Sequence, residues 1–339
     1  MARPRLVFVT ERGRRHQNDA LKVAPEEVEV VMLRSPDKAT LEEAVADARY
    51  LVSERSGLVD AGLMDAASGL RLIVRLGALT HDIDLEAARA RGIIVCQRRQ
   101  EGAERAAEHV VLQMLALAWR FNETQDVART AGEDWAARRR TDEDHFAYNW
   151  SKRQDLPGLA GSTIGILGFG EIGAELARRL IGWRCHSIYA RRRRLPDNVE
   201  LELGLTHLAK DALIAASDIV VNLLPFSAET QGYLDRHRLE SMKPGALLVS
   251  AGSGGVIDET ALADVLRQGH LAGCALDTFA VEPVEPGNPL VLLAHDHPNV
   301  VLTPHIAGGA PRDVWAEYAA MYDPVREDLR GRDPSGRIA

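Results

Sequence analysis

Residues 162–180 read STIGILGFGEIGAELARRL. The first half is an apolar run with strand character, and the second half is amphipathic with helical spacing. Between them stands Gly168-x-Gly170-x-x-Gly173. A bare GxGxxG is weak evidence. Here a strand enters it and a helix leaves it, which is the context the pattern requires. The first glycine permits a tight turn, the second lets the backbone approach a pyrophosphate, and the third lets helix and strand pack closely. Glu171 and Ile172 open the helix, whose first N–H groups then face phosphate charge. On this stretch alone, a glycine turn without a ligand remains the alternative.

The next strand, HSIYA (186–190), decides between dinucleotides. A free ribose 2′-OH usually meets a carboxylate about 20 residues past the glycines. This strand instead runs into ARRRRLP, with Arg191 where the acid would stand. Arg191 and Arg192 suit a 2′-phosphate through charge-assisted bonds. The sequence therefore favours NADP, with NAD possible and a solvated basic turn as the bland alternative.

Working outward, short apolar runs alternate with helical patterns on both sides. RLVFV (5–9), YLVSE (50–54), RLIVRLG (71–77) and GIIVC (92–96) read as strands before the glycine turn. DIVVNLLP (218–225), ALLVSAG (246–252), AGCALDTF (272–279) and NVVLTP (299–304) read as strands after it. Such alternation predicts an α/β protein with two doubly wound, Rossmann-like parallel sheets. One long helix is expected from about Ala103 to Val127. Residues 128–158 are polar and weakly periodic. They read either as a solvated insertion or, through Trp135, Phe146, Tyr148 and Trp150, as an arm on a partner subunit. The C-terminal helical piece is expected to pack back on the first domain.

The chain has 339 residues, 46% hydrophobic, enough for two ordinary domains. A net charge of −8 argues against general nucleic-acid binding and against an anionic membrane surface. Cys96, Cys185 and Cys274 lie far apart without metal-ligand spacing, which points to a reducing compartment and no structural metal. No apolar run approaches the ~20 residues a membrane span needs. The expectation is a cytoplasmic protein with a small-molecule substrate.

Five ordered motifs now carry a resemblance: LGFGEIG, LLPFSAETQGYL (223–234), MKPGALLVSAGSGGVIDETAL (242–262), GCALDTFAVEP (273–283) and HPNVVLTPHIAG (297–308). Together they resemble the D-isomer-specific 2-hydroxyacid dehydrogenases, over nearly the whole chain. The resemblance implies a cofactor domain inserted into a discontinuous substrate domain, here 116–308 within 1–115 plus 309–339. It also implies a homodimer, and hydride transfer between a nicotinamide and a 2-oxo or 2-hydroxy acid. His305 of TPHIAG maps to the family's acid/base, which also borders the cofactor, and Glu282 maps to its carboxylate partner. Asp277 maps to the nicotinamide side. Leu224, Pro225 and Thr230 match a loop that lines the cofactor, and Ala251 and Gly252 a loop that touches it through backbone.

The residue types agree with that chemistry. Ketone reduction needs a hydride at carbon and a proton at oxygen, and a histidine can supply that proton near neutral pH. Taken singly, His305 would more often be a capping or core residue, and Glu282 a surface turn residue.

The sequence also departs from the family. The pattern V-N-x-A-R-G would place a substrate-gripping arginine in VSAGSGG, and Ser253 stands there instead. The substrate loop keeps Arg75, Leu76 and Gly77 but not the usual asparagines, and QRRQEGAERAAE (97–108) brings in Arg98, Arg99 and Arg105. Two readings follow. Either one of Arg75, Arg98, Arg99 or Arg105 replaces the missing arginine, or the protein binds cofactor with little catalysis.

Overall fold

Short apolar strands and amphipathic helices assemble into two separate parallel sheets. The computed structural model describes residues 3–54, 57–130, 138–146, 148–309 and 314–339. The chain divides into a first unit, Met1–Glu101 with Ala310–Ala339, and a second unit, Gly102–Gly309.

In the first unit, β1 (Arg5–Thr10), β2 (Glu29–Arg34), β3 (Ala48–Glu54), β4 (Leu72–Leu76) and β5 (Ile94–Arg98) form one sheet. Its order is β2-β1-β3-β4-β5 and every pair is parallel. The central strands are almost wholly apolar because both faces are covered. One face buries Val7, Val9, Leu51, Ile73 and Val95. Against it lie α2 (Lys38–Val45), α3 (Ala61–Ala66) and α4 (Leu85–Ala90), represented by Leu41, Leu63 and Ala88. The other face buries Leu6, Phe8, Tyr50 and Val74 beside Ala20 of α1 (Arg14–Lys22). Tyr322 and Val325 close it, after α13 (Val314–Ala320) and within α14 (Asp323–Leu329). Asp37, Asp60 and Asp84 cap α2, α3 and α4 with their carboxylates.

In the second unit, β6 (Thr163–Leu167), β7 (His186–Ala190), β8 (Leu205–His207), β9 (Ile219–Asn222), β10 (Leu247–Ser250), β11 (Gly273–Leu276) and β12 (Val300–Leu302) form a sheet ordered β12-β11-β10-β9-β6-β7-β8. All its pairs are parallel. Its helices are α5 (Glu101–Ala118), α6 (Phe121–Thr130), α7 (Glu171–Leu180), α8 (Asp197–Leu203), α9 (Lys210–Ala216), α10 (Arg236–Ser241), α11 (Glu259–Arg267) and α12 (Pro289–Asp296). Leu213, Val220, Leu248, Leu262, Cys274 and Leu290 anchor its core.

Two expectations need correcting. The long helix is two helices, α5 and α6. Arg120 takes φ +45 at the junction, and its guanidinium turns to Glu123 and Asp155. The first domain border falls at Glu101/Gly102 rather than after 115. The reason is that α5 buries Ala106, Ala107, Val110 and Met114 and hydrogen-bonds to the 303–308 loop, all within the second unit. The structure adds two edge strands that the sequence reading left out, β2 and the three-residue β8.

Within 128–158, Trp135 lies outside the described residues, while Phe146, Tyr148 and Trp150 are exposed. Among the described residues no helix is long and apolar enough to cross a membrane. Among them, no group of three or more His, Cys, Asp or Glu is placed to hold a metal ion.

Candidate active site

The glycine turn sits where strand order reverses, between β6 and β9. Gly168 has φ +92, and a Cβ there would lie 2.8 Å from the Leu224 nitrogen. Only glycine fits between those two strand ends. A Cβ on Gly173 would face the Phe169 ring at 3.1 Å, which is the close helix contact expected of the third glycine. Gly170 is the N-cap of α7 and offers no side chain to its first turn. Where α2, α3 and α4 receive an aspartate, α7 keeps its N–H groups uncapped by any side chain. That helix end suits an anion. Glu171 is buried and Ile172 half-buried beside it. These features fit a dinucleotide pyrophosphate.

Two loops rise beside this turn. After β9, Leu224 is buried and Pro225 exposed. Thr230 closes the loop by donating to the Pro225 carbonyl at 2.6 Å and accepting from the Ser227 N–H at 2.8 Å. After β10, the Ala251 and Gly252 N–H groups both donate to the Asn222 carbonyl. Asn222 is fully buried, donates to Ser250 Oγ and accepts from the Leu224 N–H. It ties the two loops together, and sequence reasoning missed it. Its signal was a polar residue ending an apolar strand.

Ser253 carries no charge into this region. Its Oγ accepts the Phe226 N–H at 3.0 Å, and its own N–H donates to the Leu224 carbonyl. The small residues around it are required by contact. A Cβ on Gly254 would overlap the Phe279 backbone at 2.0 Å, and one on Gly252 would meet the Leu224 carbonyl at 2.8 Å.

Past β11 and β12 the structure brings His305, Glu282 and Asp277 together. His305 Nδ1 lies 2.7 Å from Glu282 Oε2, and the imidazole is 63% exposed. Glu282 Oε1 accepts the Phe279 N–H, which fixes the carboxylate. Asp277 is completely buried and holds the loop that carries the histidine. Its carboxylate accepts from the Ile306 and Ala307 N–H groups and from Thr303 Oγ1, while its carbonyl accepts from the His305 N–H. His305 is thereby fixed at φ +54, a left-handed conformation uncommon for a side-chain-bearing residue. One helix face completes the grip. Arg105, His109 and Gln113, four residues apart on α5, reach the Gly308 carbonyl and Thr303 Oγ1. His109 and Gln113 were not anticipated.

The basic candidates divide. Arg75 was expected as a substrate ligand, but its guanidinium is buried in the first unit. It pairs with Asp82 and lies against Ser53. Its charge is committed inside the sheet, and its neighbours Leu76 and Gly77 are buried too. Arg98 pairs with Asp323 at 3.3 Å, and Arg99 is exposed just past β5. In the second unit, Arg191 is half-buried at the end of β7 and Arg192 exposed. Arg194 is taken by Glu200, which also accepts from Tyr189. That carboxylate is held down at about 2, first by Arg194 against the opposing effect of burial, then by Tyr189.

A family model described as D-isomer specific 2-hydroxyacid dehydrogenase, NAD binding domain, matches residues 111–307. The glyoxylate reductase of Thermococcus onnurineus is 33% identical over 313 residues, covering 91% of this chain and 89% of that protein. The D-3-phosphoglycerate dehydrogenase of Mycobacterium leprae is 33% identical over 283 residues, covering 83% of this chain and 49% of that one. The chain spans about half the length of the phosphoglycerate dehydrogenases it matches. Among solved structures, a Pyrococcus horikoshii OT3 protein is 28% identical with a TM-score of 0.59, covering 99% of this chain and 95% of that one. The chain belongs to the D-isomer specific 2-hydroxyacid dehydrogenase family.

Proposed function

We propose that this protein is an NADP-preferring oxidoreductase that interconverts a small 2-oxo acid and its 2-hydroxy acid. The observation that carries this reading is the exposed His305–Glu282 pair, 2.7 Å apart, on a loop pinned by buried Asp277. A bound nicotinamide dinucleotide would supply or accept the hydride. The chain's own residues manage the proton. Glu282 engages Nδ1 of His305, so Nε2 is the atom left to face the reacting oxygen. In reduction Nε2 gives its proton to that oxygen; in oxidation it takes one back. Asp277 acts by holding the loop, and the Gly168 turn with the open end of α7 receives the pyrophosphate. Arg191 and Arg192 take the 2′-phosphate.

The test is a panel of 2-oxo acids followed by NADPH absorbance, with NADPH binding measured in parallel. Turnover of at least one acid, lost in His305→Ala, is expected. A second reading is kept because of Ser253: its hydroxyl is used by the Phe226 N–H, and no cation stands at that position. On that reading the protein binds cofactor with little catalysis, and the panel would be flat while NADPH still bound.

The protein also forms a homodimer in this proposal, through the second unit. Leu112 and Trp119 of α5 and Phe121 of α6 expose large apolar surface, as do Phe146, Tyr148 and Trp150 of the polar insertion. Exposed clusters of this kind mark interaction surfaces. Sedimentation should give a dimer, and Leu112→Asp with Trp119→Asp should shift it toward monomer. A wild-type monomer at micromolar concentration would end the idea.

A further inference from the structure

Glu282 stands on an exposed loop, residues 280–283, so packing does not fix its carboxylate. What holds the loop is one side chain from a neighbouring helix. Glu259 opens α11 directly after Asp258, which caps that helix by accepting the Ala261 N–H. The half-buried Glu259 carboxylate is used elsewhere. Its Oε1 accepts the Ala280 N–H at 2.7 Å, and its Oε2 accepts Asn288 Nδ2 at 2.6 Å. Asn288 in turn caps α12, its Oδ1 accepting the N–H of fully buried Leu290. Both ends of the segment 280–288 are thereby tied to α11 and α12. Between them stand Pro283 and Pro286, whose rings fix φ. A stiff segment held at both ends also holds its middle, where Glu282 lies.

We propose that Glu259 is a positioning residue for the proton donor. By pinning the loop it keeps Glu282 on Nδ1 of His305, and so decides which ring nitrogen carries hydrogen. The kinetic consequence rests on the oxidoreductase reading above; the tautomer does not. Glu282 Oε2 lies 2.7 Å from His305 Nδ1. An ionised carboxylate only accepts, so Nδ1 carries the hydrogen and Nε2 keeps its lone pair when the ring is neutral. That lone pair is what takes a proton from a 2-hydroxy acid. An imidazole released into water prefers hydrogen on Nε2, where it blocks that step. Glu259, Glu282 and His305 all belong to the second unit, and each link between them is a hydrogen bond or a short stretch of chain.

The first readout needs no turnover. Nitrogen-15 NMR of histidine-labelled protein reports which nitrogen of a neutral ring is protonated, and the His305 signals are identified by their loss in His305→Ala. Wild type should carry hydrogen on Nδ1, and Glu259→Ala should move most of it to Nε2. Glu259→Gln can still accept the Ala280 N–H through Oε1 and should stay with wild type. NADPH titration confirms a folded second unit in each variant. Should Glu259→Ala fail that check, Glu259→Asp, one methylene short of Ala280, takes its place with the same expectation. An unchanged tautomer in the variant that reaches this stage, or hydrogen on Nε2 in wild type, overturns the proposal.

The second readout is kinetic, with glyoxylate, pyruvate and hydroxypyruvate as the acids and NADPH as the reductant. Glu259→Ala should lower kcat about tenfold and leave KM within about twofold, because Glu259 acts on the proton donor and not on the substrate. In a Glu282→Ala background the same substitution should cost less than about twofold, since its route to His305 is already cut. A full tenfold loss in that background, or a raised KM with kcat unchanged, would make Glu259 a general support of the fold and overturn the proposal. If wild type reduces none of the three acids, the oxidoreductase reading fails, and the tautomer still decides the role of Glu259.

Discussion

Among the described residues, two histidine–glutamate pairs have nearly equal length and opposite burial. In the first unit, His16 Nε2 is 2.8 Å from Glu54, with the side chains 8% and 3% exposed. In the second, His305 Nδ1 is 2.7 Å from Glu282, with 63% and 34% exposed. Both stand beyond the carboxyl ends of parallel strands. Glu54 ends β3, beside Thr10 at the end of β1, where the order of the first sheet reverses. Open α/β sheets usually place a ligand crevice there. Here the crevice is filled from within. Thr10 Oγ1, His16 and Gln100 Nε2 all bond to Glu54, with Arg12 at 3.8 Å. The second sheet treats its reversal the other way, with glycines and an open helix end. The same two residue types are buried within the fold in one unit and exposed in the other, where proton transfer is proposed. What separates them is the number of partners around the carboxylate and the water that reaches the imidazole.

The largest effect that could break this contrast is at His305. His305→Ala should lower turnover about 10³-fold, equivalent to about 4 kcal/mol of transition-state stabilisation. Thermal stability should barely move, because the ring is exposed and Asp277 grips the loop through backbone groups. A variant that keeps its turnover, or one that unfolds, would erase the distinction between the pairs.

The reverse pattern is expected at Glu54. Burial alone would raise its pKa, but the His16 hydrogen bond, the charges of Arg12 and His16, and the Thr10 hydroxyl bring it from 4.5 down to about 2. A depressed carboxylate stabilises the folded state above its unfolded pKa. That stability is lost as pH falls from about 4.5 toward 2. The shift corresponds to about 3 kcal/mol. Glu54→Gln should therefore cost about 3 kcal/mol at pH 7 in urea unfolding of the first unit, leaving a buried histidine without its carboxylate. The gap between variant and wild type should narrow steadily below pH 4.5. A gap independent of pH would mean that shape, not charge, is what Glu54 contributes.

How much of this was legible in the sequence follows from what each residue touches. The central strands were readable because burial on two faces demands unbroken apolar runs. The edge strand β8, three residues long, is too short to carry such a mark. The close packing at Gly168 and Gly173 and the pairing of His305 with Glu282 were legible, the first from backbone clearance and the second from the family motifs. Asn222, Thr303, His109 and Gln113 were not, since their partners are brought near only by the fold. Arg75, expected as a substrate ligand from its charge inside LIVRLG, pairs with Asp82 just past the loop, a partner that the strand pattern alone does not reveal. The break at Arg120 left no trace, because a left-handed arginine is set by its partners Glu123 and Asp155 rather than by its own preference.

The smallest test extends the comparison of committed and available charge to the basic run after β7. Arg194 is bidentate on Glu200, whose other partner Tyr189 also receives the Leu195 N–H. That network shapes the turn. Arg191 and Arg192 are the ones proposed to meet the 2′-phosphate, in a position where an acid would repel it. Replacing both by alanine should weaken NADPH binding about tenfold, or about 1.4 kcal/mol, while NADH binding changes little. The loss should shrink with added salt, as screening acts on solvent-facing charge. Arg194→Ala provides the contrast: it should lower stability through Glu200 and weaken both cofactors alike. If the double variant also weakened both alike, the run would be a structural turn throughout.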